Sequence, residues 1–392
     1  MTAEQEQDDS PTRTLHGPLA GLRVIELAGI GPGPFAGMLL ADMGADVLSI
    51  DRPQGSATFV PPEQDVLRRG KRSVTVDLRA PEGVETVLKL VERADVLLEG
   101  YRPGVTERLG VGPDVCWTRN PALVYGRMTG WGQDGPLARA AGHDIGYIAI
   151  TGALGAMGRA DGPPAIPLNV VGDFGGGSTY LVMGVLAALY EAARSGRGQV
   201  VDAAIVDGAA SLIAPMHGML HAGHWRDARG TNMLDSGRPW YDVYETCDHE
   251  WMAVGALEPQ FYVEFLRLLG INAEDGDRSD PRNWSALRER FAAAFAERTR
   301  SEWSEVFEGS EACVSPVLGL REATQHPHLS ARGTFVEIDG LTQPAPAPRF
   351  SRTPSAVQRP PAALGAHTRE ALVEWGVSDV DRPNADRTVM HG

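Results

Sequence analysis

Arg23-Val24-Ile25-Glu26-Leu27-Ala28-Gly29-Ile30-Gly31-Pro32-Gly33-Pro34-Phe35-Ala36 is the stretch on which the fold turns. Arg23 to Leu27 reads as a strand, and the glycine-rich turn after it feeds an apolar segment, Pro34 to Met43, that reads as a helix. Asp46 to Ile50 and Ser73 to Asp77 read as further strands. After Pro81 an amphipathic helix places Val84, Val87, Leu88 and Val91 at i, i+3, i+4 and i+7, and the buried-looking strand Asp95 to Leu98 follows. Strand, helix and strand in repetition specify a mainly parallel sheet with helices on its faces.

Outward from this core, residues 1–17 are polar and acidic, too poor in apolar side chains to offset ordering entropy, and read as a loose tail. Beyond Gly142 the texture turns helical, with apolar stretches from Phe174 to Tyr190 and from Val201 to Leu220. Tyr241 to Tyr244 and Trp251 to Val254 are strand-like, and helices are expected at Pro259–Leu269, Trp284–Glu297 and Ser301–Phe307, which together make a second, smaller αβ unit. The proline-rich stretch 343–364 reads as an extended connector to a short terminal helix near Arg369–Trp375.

The 392 residues carry 36 Lys plus Arg against 51 Asp plus Glu, a formal net charge of −15, which opposes a nucleic-acid partner. Lysine occurs only at Lys71 and Lys89, so nearly all the basic residues are arginines, suited to bidentate phosphate and carboxylate recognition. No apolar run approaches the roughly 18–20 residues of a bilayer span, and the first residues are acidic where a signal peptide is basic, so a cytoplasmic address without a membrane partner is expected. Cys116, Cys247 and Cys313 form no CxxC pair and read as reduced bystanders. His217, His221 and His224 approach metal-ligand spacing, but no Glu follows His217 and no Cys is near, so no metal is expected.

Gly31 to Ala36 matches G-x-G-x-x-A, with Asp51 lying 20 residues beyond Gly31, the spacing of a dinucleotide fingerprint. Pro32 and Pro34, however, remove two N–H groups from a loop that would have to donate them to a pyrophosphate. Arg68-Arg69-Gly70-Lys71-Arg72 is the densest basic cluster, and residues 51–110 hold 10 basic and 10 acidic groups, a neutral segment in an acidic chain. With Arg52, Arg79, Arg102 and Arg108 nearby in sequence, this segment is expected to meet a phosphate-bearing ligand. Gly142-His143-Asp144 and Gly172-Asp173-Phe174-Gly175-Gly176-Gly177 each set a titratable side chain beside glycine where a helix is expected to start, the place where backbone donors stabilise a developing negative charge.

At these residues the chain resembles the α-methylacyl-CoA racemases of the class III CoA-transferase superfamily. The resemblance runs from about Gly17 to Pro360 and includes Gly21-Leu22-Arg23-Val24-Ile25-Glu26-Leu27, Ala41-Asp42-Met43-Gly44-Ala45-Asp46-Val47, Asp51-Arg52-Pro53, Gly100-Tyr101-Arg102-Pro103-Gly104-Val105, Met128-Thr129-Gly130-Trp131-Gly132, Gly142-His143-Asp144-Ile145, the Asp173 segment, and Gly255-Ala256-Leu257-Glu258-Pro259-Gln260-Phe261. It implies an α/β fold: a Rossmann-like large domain and a smaller α+β domain joined by long linkers, with two chains threaded as an interlocked homodimer. The domains implied are a tail over 1–17, a large CoA-binding domain over 18–224, a small domain over 225–330, and a return linker with a C-terminal segment over 331–392.

The resemblance further implies an acyl-CoA thioester as substrate, with no separate cofactor and no metal. Arg52, Val76, Asp77, Leu78, Arg79, Gly100, Tyr101, Arg102 and Arg108 match CoA-binding positions, and Gly142, Asp144, Ile145, Gly146 and Tyr147 match residues lining the site. Inversion at the 2-carbon needs an acid/base group on each face of a planar enolate. His143 and Asp173 match that pair, His143 for the 2S face and Asp173 for the 2R face, while Glu258 matches a carboxylate that supports the histidine from the partner chain. The Asp173 N–H is the natural donor to the enolate oxygen. The rival within the fold is a class III CoA-transferase with Asp173 as nucleophile. His143 argues against it, because the transferases lack Gly-His-Asp at that point. A non-catalytic acyl-CoA-binding protein would have no use for the three side chains together.

Overall fold

The computed structural model describes residues 15–55 and 60–377. Of the tail expected over 1–17, residues 1–14 lie outside the described residues, and His16 is no loose end: its backbone N–H donates to Gln358 Oε1 (3.3 Å), and Gln358 Nε2 donates back to its carbonyl (2.6 Å).

The chain divides into two compact units. The first holds the described residues up to Gly142, Asp173–Gly208, and those from Phe335 onward; the second holds His143–Gly172 and Ala209–Thr334. These contact units differ from the expected division, 18–224, 225–330 and 331–392, at 143–172, 209–224 and 331–334, which cluster with the second unit. The physical reason is a small apolar cluster in which Ile148 and Ala153 from one segment pack with Ala209 and Ile213 from the other.

In the first unit β1 (Arg23–Leu27), β2 (Asp46–Asp51), β3 (Arg72–Thr75), β4 (Val96–Glu99), β5 (Val124–Thr129) and β6 (Val200–Ala204) form a six-stranded sheet in the order β3-β2-β1-β4-β5-β6. Every pairing is parallel. Ile25, Leu48, Val74, Leu97 and Tyr125 bury one face against Val87, Leu88 and Val91 of the helix Pro81–Val91, whose i, i+3, i+4, i+7 stripe is apolar for that purpose. Ala371, Leu372 and Trp375 join this core from the helix Thr368–Glu374 and the residue after it. That segment also covers the β3 edge: His367 N–H donates to Ser73 O (3.0 Å), and Thr75 N–H donates to Thr368 Oγ1 (3.1 Å).

Val201–Leu220, expected as one helical stretch, begins instead with β6 and continues as the helices Ile205–Leu212 and Ala214–His221. Val200-Val201 is β-branched and finds its partner in β5, with Tyr125 opposite Val200. The expectation that no apolar run approaches membrane-spanning length is also corrected. Val170–Ser195 is a continuous helix long and apolar enough to cross a bilayer by length and composition. Leu181, Val182, Val185, Ala188 and Ala192 are buried, and the Thr179–Ser195 part packs on β5 and β6, the placement of a core helix.

In the second unit β7 (Tyr241–Glu245), β8 (Trp251–Gly255) and β9 (Val314–Pro316) form an antiparallel sheet in that order. Tyr244 packs with Phe265, Phe291, Phe295, Trp303 and Phe307 from the helices Pro259–Leu269, Trp284–Phe295 and Arg300–Phe307 in a largely aromatic core. The hairpin β10 (Phe335–Ile338) and β11 (Leu341–Pro344) opens the return of the chain into the first unit.

Candidate active site

A parallel sheet of this strand order presents a crevice at the carboxyl ends of its strands, on either side of the point where the order reverses at β1. Arg52 follows the end of β2, Val76 to Arg79 follow β3, and Gly100 to Arg102 follow β4, so the fold brings these predicted positions to one edge of the sheet. The Arg52 guanidinium lies over the Tyr101 ring, 5.3 Å from its centroid, and so couples the loops after β2 and β4. Arg79 donates to Asp77 Oδ1 (3.0 Å) within its own loop, and the pair is on the surface, open to exchange for a phosphate. Arg102 is exposed, as is Arg108 at the end of the short helix Val105–Arg108. Val76 is placed differently: its side chain is in the core and its N–H is bonded to Asp51 O, which leaves only its carbonyl for a ligand.

The side chains of the dense basic cluster are taken up by carboxylates of the protein itself. Arg68 donates to both oxygens of Asp51 (3.0 and 2.7 Å), and Arg69 donates to Asp42 (3.1 and 2.6 Å), Gln343 and Pro344 O. Lys71 donates to Glu26 (2.6 Å) and Pro34 O (2.7 Å), and Arg72 pairs with Asp46 and Glu374. Arg69, Lys71 and Arg72 are buried with their carboxylates nearby because a buried cation survives only when paired. Asp51, the acidic residue of the apparent dinucleotide fingerprint, is buried and held by Arg68 and by Ser73 Oγ (2.6 Å), so it is closed to a ribose.

Asp173 lies in the first turn of Val170–Ser178, which is wound as a π-helix and runs on into Thr179–Ser195. Gly31 caps the helix Pro32–Asp42 at φ +70° and ψ −114°, a conformation that glycine adopts without steric cost. A Cβ on Gly31 would stand 3.4 Å from Asp173 Oδ2, so the carboxylate rests directly on this turn. Phe35 stacks on Phe174 with ring centroids 4.5 Å apart. Ser178 Oγ is 2.7 Å from Pro32 O and 3.1 Å from Asp173 O.

In the second unit His143 is the exposed residue that precedes the helix Asp144–Ile150, and its carbonyl accepts the Gly146 N–H (2.8 Å). Asp144 and Tyr147 turn inward and are buried, whereas Ile145 is exposed. A Cβ at Gly172 would sit 2.3 Å from Asp144 Oδ1, so the glycine is demanded by the close approach of that carboxylate. Glu258 caps the helix Pro259–Leu269, exposed, with its carbonyl accepting the Tyr262 N–H (3.0 Å). His217, His221 and His224 are all exposed, the first two on the helix Ala214–His221. Sequence reasoning missed Lys71, Glu26 and Ser178 as supports of the Gly31 turn. The available signals were the rarity of lysine in this chain and a serine five positions after Asp173.

A family model described as CoA-transferase family III matches residues 19–368. The chain belongs to this family. Among curated relatives of this CoA-transferase family III protein, α-methylacyl-CoA racemase of Mus musculus is 43% identical over 95% of this chain and 97% of its own length. The racemase of Homo sapiens is 42% identical over the same shares. Among solved structures, a CAIB/BAIF family protein from Brucella suis superposes with a TM-score of 0.80 at 27% identity, covering 92% of this chain and all of the other. These likenesses support the mixed α/β architecture of a six-stranded parallel sheet with a small antiparallel sheet.

Proposed function

We propose that this protein is an α-methylacyl-CoA racemase that interconverts the 2R and 2S forms of 2-methylacyl-CoA thioesters. The observation that carries the reading is the presence of His143, Asp173 and Glu258 together in a chain whose curated relatives bear that name. Arg52, Asp77–Arg79 and Gly100–Arg102 at the carboxyl edge of the sheet, with Arg108 beyond, would take the phosphates and adenosine of CoA. Gly142, Ile145 and Gly146 would line the approach of the thioester. The CoA moiety is part of the substrate, and the reading calls for no other cofactor and no metal.

In the reaction, the Asp173 carboxylate takes the C2 proton of the 2R substrate. The electron pair of the broken C–H bond moves onto the thioester oxygen, where the Asp173 N–H receives the charge. Protonated His143 then returns a proton to the opposite face; the 2S substrate runs the same steps in reverse. Glu258, supplied by the second chain of an interlocked homodimer, would hold the imidazole in orientation and stabilise its charged form. The setting would be cytoplasmic.

Incubation of a (2R)-2-methylacyl-CoA with the protein in heavy water, without any acceptor acid, is expected to give deuterium at C2 and a mixture of configurations. Asp173→Asn should abolish inversion from either enantiomer, because each direction uses both groups. The competing reading, CoA transfer through an anhydride on Asp173, predicts an untouched C2 hydrogen and CoA movement only when a second carboxylic acid is added. That result would replace the racemase reading.

A further inference from the structure

In the proposed reaction Asp173 supplies both a carboxylate at one face of C2 and an N–H at the enolate oxygen, so the placement of its backbone governs both contacts. Phe174-Gly175-Gly176-Gly177 follows it, a run in which three glycines offer no side chains to lock the turn by packing and have the most backbone freedom to lose. A π-helical turn of this composition needs an external anchor. Ser178 closes the turn, and it is completely buried. Its hydroxyl has one proton, and both of its close neighbours are carbonyl acceptors: Pro32 O at 2.7 Å and Asp173 O at 3.1 Å. It therefore donates in a three-centre bond that ties two segments 146 residues apart. The Pro32 side of this tie is itself held, since Lys71 Nζ donates to Pro34 O (2.7 Å) and Phe35 stacks on Phe174.

We propose that Ser178 is a positioning residue for Asp173, its hydroxyl fixing the Asp173 carbonyl to the Gly31–Pro34 turn and so setting where the carboxylate and the N–H meet the thioester. The inference rests on the reading of Asp173 as the reacting residue. Ser178→Ala removes the donor, and Ser178→Cys keeps the volume with a weaker donor. The expected order of kcat is Ser above Cys above Ala. The Ala variant should fall about 10- to 100-fold, as for a displacement of about 1 Å at a reacting group, with KM within about twofold. The acidic limb of its pH profile with the 2R substrate should move, because in that direction the carboxylate is the base. A packing role alone would leave Cys at the level of Ser and the pH profile unmoved.

Amide hydrogen exchange over residues 173–178 supplies a second readout that needs no turnover. It should quicken in Ser178→Ala and, to a lesser degree, in Ser178→Cys, with peptides elsewhere unchanged. Exchange in that segment equal to the parent protein's, or kcat of Ser178→Ala retained within about twofold, overturns the proposal. A parent protein that incorporates no deuterium into substrate overturns the racemase reading alone, and the amide exchange then decides the role of Ser178.

Discussion

Glu99 ends β4 with its carboxyl only 4% exposed, immediately before the Gly100-Tyr101-Arg102 loop. Burial pushes its pKa from 4.5 up to about 7, opposed by the Tyr101 N–H and Arg127 and reinforced by Glu107 and Asp202. Because this carboxyl holds its proton more tightly folded than unfolded, the folded state binds more protons between pH 4.5 and about 7, and stability falls as pH rises through that window. The ionised group at pH 8 thus costs up to about 3 kcal/mol, at about 1.4 kcal/mol for each tenfold change in proton affinity. Glu99→Gln keeps an oxygen to accept the Tyr101 N–H (2.7 Å) and leaves Arg127 its partner Glu107. It is expected to raise the free energy of unfolding at pH 8 by up to about 3 kcal/mol, and by less than about 1 kcal/mol at pH 5. Urea unfolding at the two pH values measures the difference, and a gain independent of pH would show that the carboxyl is not the cause.

At the scale of elements, β3 and the turn before it concentrate four cations, and each is matched by a carboxylate from another part of the unit. The pair Lys71–Glu26 matters most for the site, because Lys71 also holds Pro34 O beneath the Gly31 turn. Burial pushes the Glu26 carboxyl up and the Lys71 ammonium down, against their mutual attraction, so the charges persist only together. Lys71→Met should therefore destabilise the protein by about 3–5 kcal/mol, with most of the loss restored when Glu26→Gln is added. Urea midpoints of the single and double variants test this, and a single variant within about 1 kcal/mol of the parent would show that the pair is dispensable. The cluster also marks a limit of sequence reading. Charges adjacent in the chain announce themselves, but their partners lie on other elements: Glu26, Asp46 and Asp51 are brought in by sheet register and Asp42 by the packing of the helix Pro32–Asp42. The same limit applies to β5 and β6, which pair Tyr125 with Val200 across a segment that visits the second unit. In contrast, β1 to β4 and the helix after Pro81 were legible because their pattern is local. His143 and Asp173 were legible as candidates because each stands beside glycine in a short motif, whereas Ser178 acts through a distant carbonyl that no local pattern reveals.

At the scale of the whole molecule, one chain leaves Leu168, Ile166, Ile150, Met183, Tyr190 and Leu320 more than half exposed. Apolar side chains uncovered in this number call for a partner surface, and the proposed homodimer supplies one. The formal charge of −15 on each chain opposes association, but beyond about 10 Å that repulsion is screened at 0.1 M salt. If the two chains are interlocked, separation requires one of them to unfold, so differently tagged dimers mixed in native buffer should not exchange subunits, whereas joint unfolding and refolding should produce mixed dimers. The mixed dimer also tests the role of Glu258. Pairing an Asp173→Asn chain with a Glu258→Gln chain leaves one site with an intact Asp173 and His143. If Glu258 serves the other chain, that site draws its glutamate from the Asp173→Asn chain and is complete. Co-refolding of equal amounts of the two inactive variants makes about half of the dimers mixed, each with one complete site of its two, so turnover should recover to about a quarter of the parent's, measured as deuterium exchange at C2. If Glu258 acts within its own chain, both sites of the mixed dimer are damaged and activity stays at the level of the variants.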